Sequence, residues 1–437
     1  MTFDPALIER LKGALDTAGA LALFRRAIAA PSVTGAEAAF AALLADELTT
    51  LGAEEVTVTD FAPGRPNVRG LLRGAAAGPR VLLTGHTDTV HVRGWAERWV
   101  ATERENPYCG ALVDGAIWGR GSGDLKAGIC AAISAARLLR DAGVPLAGEI
   151  LFAFVGDEES GEPGSGVSAG MKALVADIAA GRAPRPDMAI YVEPTQLEIY
   201  AAQMGFLICE IAVTGRSAYF GVPELGVDAL KASHAILSAL FAHSATLEAR
   251  FPHPLVGRPF VLVTALSGDG YIAVPGECRI SLILKLTPGE SLDEAVRGLE
   301  QAVRGAPIDP AIAIAFEYPA GRDHRFGGTP TETSPSLPFV RLLAESIKAV
   351  LPDRGEIEGA PYWSEAPFLI DQLGVPTVYC APGDIRNCHT LEERVELQEY
   401  FDGIVAFATF LARIGELERP GIQPAGINGR NLRGSQQ

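Results

Sequence analysis

The run Val81-Leu82-Leu83-Thr84-Gly85-His86-Thr87-Asp88-Thr89-Val90 constrains this chain more than any other stretch. Apolar residues of strand length stop at a glycine, and a histidine and an aspartate follow two residues apart. In a strand, residues two apart point to the same side. His86 is therefore placed to bind a metal at the strand's end, with Asp88 orienting its ring or tuning its basicity from behind. Taken alone, the stretch reads more simply as a hydrogen-bonded histidine at a strand terminus. Carboxylates and a second histidine in comparable positions change that balance.

An apolar run from Glu149 to Val155 leads into Gly156-Asp157-Glu158-Glu159-Ser160-Gly161, and another from Pro186 to Val192 into Glu193-Pro194-Thr195. Adjacent carboxylates after a buried strand repel one another unless a cation or partner is present. A lone Glu-Glu is commonly a solvated turn, but Glu193, between an apolar strand and a proline, fits that description less well. Ala116 to Trp118 is followed by Gly119-Arg120-Gly121-Ser122-Gly123-Asp124 and by a helix expected over Leu125 to Leu139. Glycines before a helix can cradle phosphate. Here Asp124 would repel it, and no Gly-Lys-Ser/Thr is present. The glycines read better as a turn that lets Asp124 face a pocket. His389 follows the loop Pro382-Gly383-Asp384-Ile385-Arg386-Asn387-Cys388.

A chain of 437 residues is too long for one ordinary core. Met1 to Ala30 is expected to be an amphipathic helix, and Thr34 to cap a helix running through Leu51. Strands are expected at Glu55 to Asp60, Asn67 to Leu72 and Arg80 to Leu83. From about Gly205 the pattern changes to strands at Phe206 to Val213, Phe260 to Leu266, Arg279 to Leu286 and Ile312 to Phe316. Helices at Val227 to Phe241 and Ser291 to Val303 complete a small two-layer α+β unit. After Tyr318 come a helix at Phe339 to Val350, a strand at Val375 to Tyr379 and a helix at Ile404 to Ile414. The expected fold is α/β: a catalytic domain in two pieces, 1–204 and 321–437, with a smaller domain, 205–320, inserted between them. Arg419 to Gln437, rich in Gly, Pro, Asn and Arg, is expected to be a loosely held tail.

A net charge of −16 argues against nucleic acid and anionic membrane as partners. No apolar run reaches the roughly 18 residues of a membrane span. The first residues lack the basic start and unbroken apolar core of a signal peptide. The cysteines Cys109, Cys130, Cys209, Cys278, Cys380 and Cys388 are scattered and form no C-x-x-C. A cytoplasmic location is the expectation.

The ordered motifs Gly-His86-Thr-Asp88, Gly-Arg-Gly-Ser-Gly-Asp124-Leu-Lys-Ala-Gly, Asp-Glu158-Glu159-Ser-Gly, Glu193-Pro-Thr and His389-Thr resemble the metallohydrolase family of acetylornithine deacetylases, desuccinylases, aminoacylases and carboxypeptidase G. The likeness covers nearly the whole chain, and Ser364-Glu365-Ala366-Pro367-Phe368 looks most like the acetylornithine deacetylase branch. The resemblance implies a zinc-peptidase-like catalytic domain with a ferredoxin-like lid and dimerisation domain. It implies that His86, Glu159, Glu193 and His389 hold one or two divalent ions (zinc, manganese or cobalt), with Asp124 bridging, Asp88 supporting His86, and Glu158 the general base. A metal-activated water would then attack a C–N bond. A homodimer through the inserted domain is also implied.

The inserted domain departs from the family pattern. Tyr219 stands where a histidine that reaches the substrate is common, Ile272 where asparagine is, Lys285 where arginine is, and Met204 where lysine is. Lysine keeps the charge but loses arginine's bidentate fork. These changes favour a small, flat, aromatic substrate, an aryl amide or an anthranilate-type aryl amine. Arg322 and His324 are candidates to meet an acidic group on it, and Glu365 is a further candidate substrate contact. The alternatives are an N-acyl amino acid deacylase or a dipeptidase. A binding protein without catalysis would be expected to have lost a ligand or Glu158, and none is missing.

Overall fold

The computed structural model describes residues 4–159 and 164–418. The expected tail from Arg419 and the Ser160-Gly161 end of the acidic motif lie outside the described residues.

The larger sheet runs in the order Glu54–Ala62, Arg65–Arg73, Ala147–Val155, Ala76–His86, Met188–Tyr191, Thr377–Tyr379, Ile199–Gln203, Thr331–Glu332, with Ile357–Ala360 also beside Ile199–Gln203. Its middle is parallel: Ala76–His86 pairs in parallel with Ala147–Val155 and Met188–Tyr191, and Thr377–Tyr379 with Met188–Tyr191. Parallel strands buried on both faces read as continuous apolar runs, and Val81, Leu82, Leu83, Ile150 to Phe154 and Met188 to Tyr191 are all buried. All four middle strands end on the same edge. In open α/β sheets that edge is where ligands bind.

Helix Ala127–Asp141 packs across the sheet with most of its surface buried. Its approach depends on glycine. A Cβ on Gly128 would lie 2.2 Å from the Val192 carbonyl oxygen, and one on Gly85 would lie 2.6 Å from Leu125 Cδ1. Gly128 lets the helix reach the segment leading to Glu193, and Gly85 lets Leu125 of the Asp124 turn pack on the strand that carries His86. The helix starts later than the expected Leu125, because Ser122–Lys126 forms an irregular turn with Asp124 and Leu125 outside helical geometry.

A second sheet, in the order Phe260–Gly268, Glu277–Leu286, Gly205–Thr214, Ala313–Glu317, is covered on one face by helices Ala229–Arg250 and Leu292–Arg304. Leu207, Cys209, Ile211 and Val213 alternate with Cys278, Ile280, Leu282, Leu284 and Leu286 to build a separate core under those helices. The fold is therefore α/β with an inserted two-layer unit. A small third sheet joins Arg394–Glu396, Ala116–Trp118 and Ala111–Val113.

Further local expectations are corrected. The first segment is two helices, Pro5–Ala14 and Thr17–Ile28, because the Asp16 side chain caps the second through Gly19 N. Thr34 caps nothing. The next helix begins at Ala38 and the Thr34 hydroxyl instead donates to the buried Asp88 carboxylate at 3.0 Å. A buried carboxylate gains more from a donor than an exposed helix end does. Helix Ala169–Ala179 and strand Ile199–Gln203 were not anticipated, and the last helix starts at Leu397 rather than Ile404.

Candidate metal centre

The sheet edge brings His86, Asp124, Glu159, Glu193 and His389 together. Asp124 sits between the imidazoles: its Oδ1 lies 2.9 Å from His86 Nε2 and its Oδ2 lies 3.1 Å from His389 Nε2. Glu159 Oε1 is 3.0 Å from His389 Nε2, and Glu193 Oε1 is 3.8 Å from His86 Nε2. Donor atoms of His86, Asp124 and Glu159 all lie within 4.8 Å of one another. His86, Asp124, Glu159 and Glu193 are buried, whereas the His389 side chain is 55% exposed. His389 adopts a positive φ of 60°, a conformation that non-glycine residues keep where their surroundings enforce it.

The His86 ring is fixed from behind, though not by the expected group. Its Nδ1 lies 2.9 Å from the Asp88 main-chain oxygen, while the Asp88 carboxylate is 3.9 Å away. A proton on Nδ1 donated to that carbonyl leaves Nε2 free to ligate. The Asp88 carboxylate instead accepts hydrogen bonds from Glu158 N at 3.2 Å, Glu159 N at 2.9 Å and Thr34 Oγ1. It supports His86 through the backbone and the Glu158–Glu159 turn through the side chain. Ser364 Oγ donates to Glu193 Oε1 at 2.8 Å, and Glu393 holds the Gly123 and Asp124 amides. Nothing in the sequence pattern marks Thr34, Ser364, Arg120 or Glu393 for these supporting roles.

Electrostatics mark the cluster as short of positive charge. Burial, reinforced by Asp124, pushes the Glu193 carboxyl up to about 8. Burial likewise raises Glu159, and it raises Glu158 well above the usual range, opposed by His86 and aided by Glu159 and Glu193. Hydrogen bonds to Asp124 and Glu159 push His389 up to about 11. Burial opposes charge on both Asp124 and His86, but hydrogen bonds win: those from His389 and His86 hold Asp124 below the usual carboxylate range, and that to Asp124 holds His86 well above the usual imidazole range. Imidazole and carboxylate donors converging in a buried, anion-rich spot fit one or two divalent ions such as zinc, manganese or cobalt.

The expected substrate contacts scatter. Lys285 lies opposite Phe206 in the second sheet, on the face away from the covering helices. Arg322 sits 5.9 Å over the Phe206 ring, and Phe206 packs edge-on against Trp363 at 5.6 Å. The guanidinium lies within electrostatic reach of Glu158 and Glu365. Met204 is buried between two strands, 5% exposed. Glu365 is fully buried and accepts the Tyr191 hydroxyl at 2.8 Å, so it stands behind the site and not on its open side. Tyr219 and Ile272 are 63% and 64% exposed in loops of the inserted unit, with Tyr219 against Phe220. His324 turns away toward Asp293, 3.8 Å off on helix Leu292–Arg304.

Strand-end imidazoles and carboxylates around a buried acidic focus define a metal-dependent hydrolase. The chain belongs to peptidase family M20/M25/M40, whose pattern matches residues 82–413. It is 27% identical over 388 residues to an acetylornithine deacetylase of Proteus mirabilis, covering 86% of this chain and 91% of that one. It is 29% identical over 400 residues to a succinyl-diaminopimelate desuccinylase of Methylobacterium nodulans, covering 88% and 93%. Its fold matches that of an aminopeptidase from Bacillus cereus with a TM-score of 0.70 at 18% identity, covering 92% and 99%. The chain is thus a hydrolase of C–N bonds, and no helix among the described residues is long and apolar enough to cross a membrane.

The Asp88 network generates a prediction. Asn at position 88 keeps one acceptor oxygen but turns an amide toward N–H donors. Bonds to a charged acceptor are worth about 1.5–3 kcal/mol each, so Asp88→Asn should lower the urea midpoint of the metal-free protein by more than Thr34→Val does. Equal midpoints in the two variants would remove the carboxylate from its assigned place.

Proposed function

We propose that the chain hydrolyses the amide-type C–N bond of a small, carboxylate-bearing molecule, with His86, Asp124, Glu159, Glu193 and His389 holding two divalent ions. The observation that carries the centre is Asp124, whose two oxygens each face one histidine and so divide the cluster into a His86–Glu193 side and a His389–Glu159 side. Lewis acidity toward water and the scissile carbonyl is what bound metal supplies. Glu158 removes a proton from the attacking water as its oxygen bonds to the carbonyl carbon. The same carboxyl then delivers that proton to the nitrogen as the C–N bond breaks, releasing an amine and a carboxylic acid that gives its remaining proton to solvent. With an ion on Nε2, the Nδ1 proton of His86 would be held by the Asp88 carbonyl 2.9 Å away, and Glu193 is oriented by Ser364.

Glu158→Gln keeps the size of the side chain and removes the base. Turnover should fall by about 10²–10⁴ while bound metal, measured by atomic emission, stays at the wild-type level. Undiminished turnover would take this role from Glu158.

The substrate reading rests on cations. Among the described residues neither Lys285 nor Arg322 forms an ion pair, although both are half-buried; burial lowers Arg322 and brings Lys285 down to about 8. A desolvated cation without an anion is unfavourable, so a substrate carboxylate would relieve it. Phe206 and Trp363 beside them offer ring faces, which favours an acid with an aromatic group, anthranilate-type compounds included. The second reading is an N-acyl amino acid deacylase or dipeptidase, and its deacylase form is favoured by the activities named for the curated relatives. Steady-state rates on aryl amides and aryl amines with and without a carboxylate, on N-acetylornithine and on dipeptides separate the two. Arg322→Ala should raise KM for acid-bearing substrates about 10-fold or more, the equivalent of one charged hydrogen bond, and leave neutral ones little changed. Efficient turnover of aliphatic amino acid derivatives with the aromatic ones ignored would sink the aromatic preference.

Residues 205–320 are proposed as the lid and the dimerisation unit of a homodimer. Leu230 and Phe241 on helix Ala229–Arg250 are exposed, as are Phe260, Leu262 and Leu266 on the edge strand. Exposed apolar residues on an unpaired strand edge invite a partner. Light scattering at micromolar concentration should give twice the chain mass of 46.0 kDa; a monomer would contradict the assignment.

A further inference from the structure

Segments 119–126 and 384–393, which carry Asp124 and His389, meet through one buried ion pair. Arg120 and Glu393 have side chains 2% and 1% exposed, with Arg120 Nη1 and Glu393 Oε2 2.5 Å apart. Glu393 Oε1 accepts the Gly123 and Asp124 amides, each at 3.1 Å. Arg120 Nη2 donates to the Thr390 carbonyl and Nε to the His91 carbonyl, both at 3.1 Å. Gly119 N donates to the Glu393 carbonyl at 3.3 Å. The Trp95 ring lies 5.4 Å from the guanidinium.

The circuit therefore runs from the Asp124 amide through Glu393 and Arg120 to Thr390, the residue after His389. A buried ion pair is weak evidence of added stability, since desolvation offsets most of the attraction. This pair does something that stability alone does not require. One member grips the amides of the Asp124 turn, and the other grips carbonyls beside His389 and five residues beyond His86. Neither side chain needs to touch a ligand atom to fix the distance between ligands.

We propose that the Arg120–Glu393 pair is a positioning clasp that sets the spacing of Asp124 and His389, and with it the affinity for a divalent ion. The proposal rests on the metal-hydrolase reading above. Lysine at 120 keeps the charge but cannot reach three acceptors in the guanidinium plane. Glutamine at 393 keeps one acceptor oxygen and loses the charge that holds Arg120.

The test uses the full chain carrying Arg120→Lys or Glu393→Gln, with Arg80→Lys as control. Arg80 pairs with Glu149, their side chains 18% and 16% exposed, and its other bonds among the described residues go to Asp187 and the Arg185 carbonyl, outside the metal centre. Zinc and manganese binding is measured by competition with a chromophoric chelator, and Tm on the metal-free proteins. Outer contacts of metal ligands typically set affinity by about 10–100-fold, so both clasp variants should bind the ions more weakly by that factor. Excess metal should restore their kcat with KM unchanged, and the control should bind like wild type. Clasp variants that bind within about twofold of wild type, well below that range, would overturn the clasp whatever their Tm. Should Glu393→Gln not fold, Arg120→Lys decides alone. A wild-type protein that binds neither ion sinks the metal-hydrolase reading and the clasp with it, whereas tight wild-type binding with unchanged variants sinks the clasp only.

Discussion

A carboxylate taken out of water must find donors or a cation, and the edge of the parallel sheet gathers more carboxylates than it has donors for. The way each one is satisfied sorts them. Asp88 has two amides and a hydroxyl. Asp157 has Arg65 together with the amides of Gly166, Val167 and Ala169. Glu393 has Arg120 and two amides. Those groups are supplied by the fold itself and hold loops in place. Asp124, Glu159 and Glu193 are left with two imidazoles and one serine hydroxyl. That remainder is the part of the cluster that calls for metal.

The same asymmetry explains which residues the sequence exposes. His86, the Glu158–Glu159 pair and Glu193 are legible because each follows an apolar run that can only be a buried strand, and a polar residue at the end of such a run is placed by period alone. Asp124 is legible less directly, through glycines that a helix start would otherwise disfavour. His389 comes well after strand Thr377–Tyr379 and a loop, and only resemblance to a family marked it. The supporting set is silent for a different reason. Thr34 reaches Asp88 across 54 positions, Ser364 reaches Glu193 across 171, and Glu393 reaches Arg120 across 273. Much of what they hold is backbone, which carries no side-chain signature. Thr34 was misread because a threonine before a helix looks like a cap until a buried carboxylate competes for its hydroxyl.

The inserted unit follows the opposite pattern. Its architecture is plain from alternation, since Cys278 through Leu286 can bury only one face under two amphipathic helices. Its relation to substrate is not. Lys285 and Arg322 are distant in sequence, and cross-strand pairing and a short hairpin place them on either side of Phe206. His324, two residues from Arg322, leaves in another direction because that hairpin folds back through hydrogen bonds between Arg322, His324 and Gly327. Sequence proximity suggested one cationic group where the backbone makes two.

On the proposed reading, this arrangement ranks the forces that select a substrate. An apolar ring placed against Phe206 and Trp363 gains roughly 25 cal/mol for each Å² of surface it withdraws from water, and an aliphatic chain of equal area gains nearly as much. The two cations discriminate more sharply. Both already bear part of the penalty of leaving water, so an anion arriving between them regains interaction without much further desolvation, whereas a neutral ligand would desolvate them further and return nothing. Charge therefore selects first and ring shape second. That order accommodates both an acylated amino acid and an aromatic acid in one site, and it makes the exposed Tyr219 less consequential than the positive charge at Lys285.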